Sequence, residues 1–194
     1  MIPMKALLLL IPLLVSGCNV LQPVKDTSVS HLLDPLVPAR TATAATPAVA
    51  INRPSLPSYL DRQQVVTRVG SGELKMSNYH LWAEPLGSGI ARVVSMNLSR
   101  LTGSLNIQPI DNFVTLEYSS LLELRISQFE SDASDRVVLQ CTWKLQPVRG
   151  LPVQARNFRT EVPFTPTTKE DLSPRIGAMN EALERLSREI ARSL

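Results

Sequence analysis

Few side chains in this sequence could do chemistry. Its 194 residues hold two cysteines, Cys18 and Cys141, and two histidines, His31 and His80. A covalent mechanism needs a nucleophile beside a base, and no Gly-x-Ser-x-Gly turn offers a serine. No two metal-ligating residues recur at a convincing spacing. Gly70-Ser71-Gly72 is not followed by the Lys-Ser/Thr of a phosphate-cradling loop, so it reads as a tight turn. Asp132 and Asp135 flank a loop tip, where solvated acids are common. Glu117, Glu123 and Glu130 could act together only if folding assembled them. The sequence therefore reads as a non-enzyme, with no catalytic residues, no metal site and no cofactor.

One thiol does sit in a context made for modification. Lys5 precedes an apolar run from Ala6 to Val15, and small residues lead directly into Cys18. A basic start, a short apolar core and small residues at the cut are the parts of a secretory signal. Val15-Ser16-Gly17-Cys18 resembles the bacterial lipobox at every position. On that reading residues 1–17 are removed and Cys18, the new first residue, carries the lipid. The alternative is an ordinary secretory signal with an incidental cysteine. The apolar run is too short for a membrane span, which takes about 20 residues. Asn19 follows the cysteine where an Asp would favour inner-membrane retention, so the expected location is the periplasmic face of the outer membrane.

After residue 17 there remain 177 residues, enough for one domain with a substantial core. The formal charge of +3 falls to +2 without Lys5, too little to argue for nucleic acid. Cys141 has no intramolecular partner once Cys18 is lipidated. It reads either as a reactive or bridging thiol or, the reading favoured here, as a small buried hydrophobe.

The expected domains are a signal peptide at 1–17, a lipidated N-terminus with flexible tether at 18–47, and one folded domain at 48–194. Prolines at 23, 35, 38 and 47 and the run Thr41–Thr46 keep long elements out of the tether. A short edge strand fits Ser30–Asp34. Strands are expected at Ala48–Ile51, Gln64–Val69 and Glu73–Ser77, the last two as a hairpin. A helix opens at Pro85 after Asn78–Glu84. Leu86, Ile90, Val93, Val94, Leu98 and Leu101 give it an apolar stripe, and Gly103 ends it. Its polar face carries only Arg92 and Arg100 as charges. Short Leu105–Pro109 and alternating Leu122–Ser127, with a start near Val114, read as strands. Val137, Leu139, Cys141, Trp143 and Leu145 share one face of another. Val153–Val162 closes a meander near an edge. Ser173-Pro174 reads as the cap and first turn of a last helix, with Thr168 as an earlier alternative start.

Leu56-Pro57-Ser58-Tyr59-Leu60-Asp61-Arg62 with Gln64-Val65-Val66, then Leu81-Trp82-Ala83-Glu84-Pro85-Leu86, resembles the PqiC-type auxiliary lipoproteins of ABC transport systems. The resemblance spans roughly residues 30 to 193 and adds to the lipobox. Composition and pattern give an α/β (α+β) class: a largely antiparallel sheet with packed helices. The resemblance implies that the sheet is mixed and sits in a three-layer α/β/α sandwich. It also implies an accessory subunit of an MCE-type intermembrane lipid transport system, working with an MCE-type membrane protein and its permease, while another subunit hydrolyses ATP. The alternative is a structural or assembly lipoprotein of the envelope without a transport role. The edge near residues 153–162 would suit a homo-oligomer. Tyr59 and Trp82 read as core aromatics with polar handles, and no residue stands out as a partner contact.

Overall fold

The computed structural model describes residues 27–39, 41, 46–110, 117–168 and 171–194. Val15, Ser16, Gly17, Cys18, the first part of the tether and Val114 lie outside the described residues. Eight strands form one mixed sheet. They are β1 (Val29–His31), β2 (Val49–Ile51), β3 (Gln64–Gly70), β4 (Glu73–Trp82), β5 (Ile107–Pro109), β6 (Ser120–Ser131), β7 (Arg136–Pro147) and β8 (Arg156–Pro163). Two helices, α1 (Leu86–Thr102) and α2 (Ser173–Ala191), pack against each other.

The sheet is built around β6, whose two edges differ. One edge carries β7 along its whole length, antiparallel, with a bulge between Ile126 and Gln128. The other edge is shared. The first residues of β6 take β2 in parallel, Ser55 bridges Arg125, and Ser131 then meets Thr67 of β3. The sheet therefore forks into a branch ending in β5 and a branch running through β3 and β4 to β1. The long ladders are antiparallel and the short ones parallel, which matches the expected mixed sheet.

Alternation explains the layers. Val137, Leu139, Cys141 and Trp143 of β7 are buried, while Arg136 and Gln140 face water. α2 covers the β6–β7–β8 region with a stripe that includes Ile176, Met179, Leu183, Leu186 and Ile190. Full burial of each such side chain contributes about 1.5–3 kcal/mol. The polar positions Arg125, Ser127, Gln140 and Arg159 remain accessible, as expected of an antiparallel sheet with one wet face. A third layer has no counterpart among the described residues. Val138 is buried too, so the period of two on β7 is not strict.

Local chemistry sets the ends of the elements. The hairpin of β3 and β4 turns at Gly72, whose φ of 72° suits a residue without Cβ. α1 starts after Pro85 and stops at Gly103, which is left-handed with φ 76° and donates its N–H to Ser99 O. α2 begins at Ser173 itself rather than after it. The Asp171 carboxylate accepts the Ser173 N–H at 2.8 Å and so does the work expected of Ser173. Its side chain also accepts from the Thr167 hydroxyl, and these bonds hold its pKa at about 2. Glu181–Arg185 and Glu184–Arg188 pair at i,i+4 as their order suggests. β4 is longer than expected. It runs through Asn78–Leu81 to Trp82, because that stretch pairs with Gln64 on one side and with β1 on the other.

Candidate functional site

The helix pair holds down a segment that sequence alone assigned to the tether. After β1, Leu33 and Val37 are buried against the domain. Two buried asparagines accept from its backbone. Asn180 Oδ1 of α2 takes the Asp34 N–H at 3.0 Å, and Asn97 Oδ1 of α1 takes the Val37 N–H at 3.3 Å. Two arginines donate to its carbonyls. Arg92 Nη2 reaches Leu33 O at 2.7 Å, and Arg100 Nη1 reaches Val37 O at 2.7 Å. Arg92 is itself held by Glu84 at 2.6 Å. The only two charges read on the polar face of α1 thus fasten residues 33–37 as a strap across both helices. One signal in the sequence pointed here: Asn97 and Asn180 fall among the apolar positions of their helices, where an amide needs a partner.

The two histidines meet. β1 lies parallel to β4 with Val29 opposite His80, and His31 Nε2 sits 2.9 Å from His80 Nδ1. Their ring centroids are 5.1 Å apart. Burial and then the neighbouring ring push the His31 pKa down, against a smaller upward pull from Asp171. No local pattern in the sequence marks this contact, which joins residues 49 positions apart.

The remaining candidates separate. Trp82 is buried in the core. Tyr59 is half-buried, and its hydroxyl donates to Ser127 O and to Glu130 Oε2. Glu130 is buried with Arg68, whereas Glu123 pairs with Lys144 and Asp132 with Arg136. Asp132 also accepts the N–H groups of Ser134 and Arg136, so it closes the β6–β7 turn. Glu130, Glu123 and Asp132 thus sit in separate ion pairs, and among the described residues no group of His, Cys, Asp and Glu could hold a metal ion.

Cys141 is buried on the inner face of β7, and burial pushes its thiol up to about 12. Both states keep the thiol neutral at neutral pH, but above about 8.5 the unfolded chain ionises first, so stability falls as pH rises towards 12. Thiol reagents are expected to label Cys141 only after denaturation, with adduct mass as the readout. Rapid labelling of the native protein would show instead that the thiol is accessible.

The domain has two unlike ends. The chain joins β1 from the end where β3 and β4 form their hairpin and β6 finishes. The β7–β8 loop lies where β6 begins, since Ser120 pairs with Pro147. Twelve residues of β7 separate these ends, about 40 Å at 3.3 Å per residue. The far loop exposes apolar side chains: Leu151 is 85% exposed and Val148 and Val153 are exposed too, as is Tyr118 just before β6 at the same end. Arg149 beside them has no partner among the described residues. β8 pairs only with β7 among the described residues, so its outer edge is open. Arg156 and Arg159 on that strand suit a solvated edge. Among the described residues no helix is long and apolar enough to cross a membrane.

A family model for ABC-type transport auxiliary lipoprotein components matches residues 31–191. No curated protein matches the chain. Solved structures share the fold, among them the following two. An uncharacterised protein superposes with a TM-score of 0.67 at 20% identity, covering 86% of this chain and 98% of its own. A Xanthomonas campestris protein of family DUF330 gives 0.66 at 18% identity, covering 84% and 93%.

Proposed function

From the chain's membership of the ABC-type transport auxiliary lipoprotein component family, we propose that it is the outer-membrane-anchored adaptor of an MCE-type intermembrane lipid transport system. Its lipid sits on Cys18. Its output is binding: Glu130, Glu123 and the two histidines are engaged in separate contacts within the fold. The observation that carries this reading is the arrangement of the two ends. The N-terminal segment leaves at one end, and the exposed apolar loop at Val148–Val153 lies at the other. An exposed apolar patch beside charged residues marks an interaction surface. A domain tethered at the first end can present the second to a partner reaching from the inner membrane. The open edge of β8 offers a place for self-association, and a ring of copies would present equivalent sites to a symmetric partner.

Two measurements test this. Mass spectrometry of the mature protein is expected to find a lipid-modified N-terminus at Cys18, and Cys18→Ser to leave the precursor uncleaved. An unmodified N-terminus at another residue would end the lipoprotein reading of the signal. Co-purification from detergent-solubilised envelopes is expected to recover an MCE-type protein with the wild type and much less with Leu151→Asp. Recovery of the lipoprotein without such a partner, and deletion strains with unchanged resistance to membrane stress, would favour the structural-lipoprotein alternative.

A further inference from the structure

A cleft of about 270 Å³ opens beside the place where β1 joins the sheet, between the β3–β4 hairpin and the start of α2. Thr67, Lys75, Ser77, His80 and Arg175 line it, with Val65 and Leu172 as apolar lining. Its polar groups are all able to donate. The Arg175 guanidinium lies over the Phe164 ring at 5.6 Å and gives one N–H to Thr67 Oγ1 at 2.8 Å. Its Nε is buried and has no partner among the described residues. Asp135 acts on it through space without forming an ion pair, and burial lowers its pKa. A half-buried cation without a counterion is unfavourable. Ser77 Oγ already accepts the N–H groups of Tyr79 and His80, and Thr67 Oγ1 accepts from Arg175, which leaves both hydroxyl hydrogens free. Lys75 stands opposite Thr67 in the ladder and has no ion-pair partner among the described residues. His80 uses Nδ1 towards His31, so Nε2 remains. No carboxylate is among the lining residues. Asp171, the nearby acid, bonds to Thr167 and Ser173 instead.

We propose that this cleft binds a phosphate group, carried by an anionic lipid headgroup or free in solution. Guanidinium, ammonium and hydroxyl donors converging on one concavity match the several acceptor oxygens of a phosphate. The volume is enough for a phosphate with a small headgroup. The place also fits a headgroup. Val29 pairs directly with His80, so the cleft adjoins the point from which the N-terminal segment departs. Eleven residue steps lie between Cys18 and Val29, at most about 40 Å of extended chain. The inference goes beyond the adaptor reading and stands whether or not an MCE-type partner exists.

The test uses the mature lipidated protein in a non-ionic detergent. The chain has only two histidines, so its imidazole NMR signals can be assigned by a single His31→Gln variant. Sodium phosphate, and separately dihexanoyl phosphatidylglycerol, are titrated against sodium chloride at matched ionic strength. The expected result is a saturable shift of the His80 signals that chloride does not produce. Loss of one charge-assisted contact should raise the half-saturation concentration by about tenfold or more, in Arg175→Gln and in Lys75→Gln. Lys75 is exposed, so its variant keeps the fold if Arg175→Gln does not. Saturation by the short-chain lipid at lower concentration than phosphate identifies a headgroup site; the reverse order identifies a site for free phosphate. No saturable shift with either, or shifts undiminished in Lys75→Gln, would overturn the proposal.

Discussion

Arg68→Met is expected to destabilise the protein by about 3–5 kcal/mol, the usual penalty for stripping the partner from a buried charge. The Glu130 side chain is fully buried, although Arg68 is partly exposed. Its carboxylate takes Arg68 Nε at 2.9 Å and Nη2 at 2.8 Å on one oxygen. The other oxygen takes the Tyr59 hydroxyl at 3.2 Å and the Phe129 N–H at 3.0 Å. The bond to Glu130 holds the Arg68 pKa up. Without Arg68 the charge stays in the interior with only neutral donors. The double variant Arg68→Met/Glu130→Gln should recover much of the loss, because no buried charge remains. Urea unfolding measures both. A cost for Arg68→Met near the 0–1 kcal/mol of exposed pairs would show that water screens the contact. Arg192→Met, at the exposed pair with Glu189, is the comparison that should fall in that lower range.

The second large effect concerns the strap. A chain starting at residue 28 is expected to unfold at the same temperature as the mature protein, and one starting at residue 39 to lack a cooperative transition. The shorter chain loses β1 and the burial of Leu33 and Val37. Each of those side chains is worth about 1.5–3 kcal/mol. It also leaves Asn97 and Asn180 buried without their backbone partners, at about 1–3 kcal/mol each. The sum is comparable with a whole domain's stability of about 5–15 kcal/mol. Thermal unfolding followed by near-ultraviolet circular dichroism distinguishes the two chains. A sharp transition in the shorter one would mean that the helices close without the strap.

The strap shows what the sequence could and could not reveal. Elements that depend on neighbours in sequence were legible. The alternation from Val137 to Leu145, the stripes of both helices, the turn at Gly72 and the stop at Gly103 all rest on local periodicity or backbone freedom. The strap was not, because its prolines and short strand look like a linker until two distant helices supply partners. The same holds for His31 with His80, and for Glu130 with Arg68 and Tyr59, where burial comes from long-range pairing. β4 was read too short because Pro85 and the apolar residues before it suggested a helix approach. Pairing with β1 and β3 keeps the chain extended to Trp82 instead. The fork at β6 leaves no local mark either, since β2 and β3 reach it across chain separations that no periodicity records.

A protein held by lipid at Cys18 and by a partner at the Leu151 end would be a link under tension. The direction of β1 then matters mechanically. β1 runs parallel to β4 and starts on the side from which the N-terminal segment arrives, so a pull on its N-terminus slides it along β4. Bonds loaded in this sliding geometry must fail together, whereas an edge strand pulled sideways peels off one bond at a time. Behind β1 the grips of Asn97, Asn180, Arg92 and Arg100 on residues 33–37 would take up any remaining pull. The strap thus passes force to both helices at once and spares the thin forked edge of the sheet.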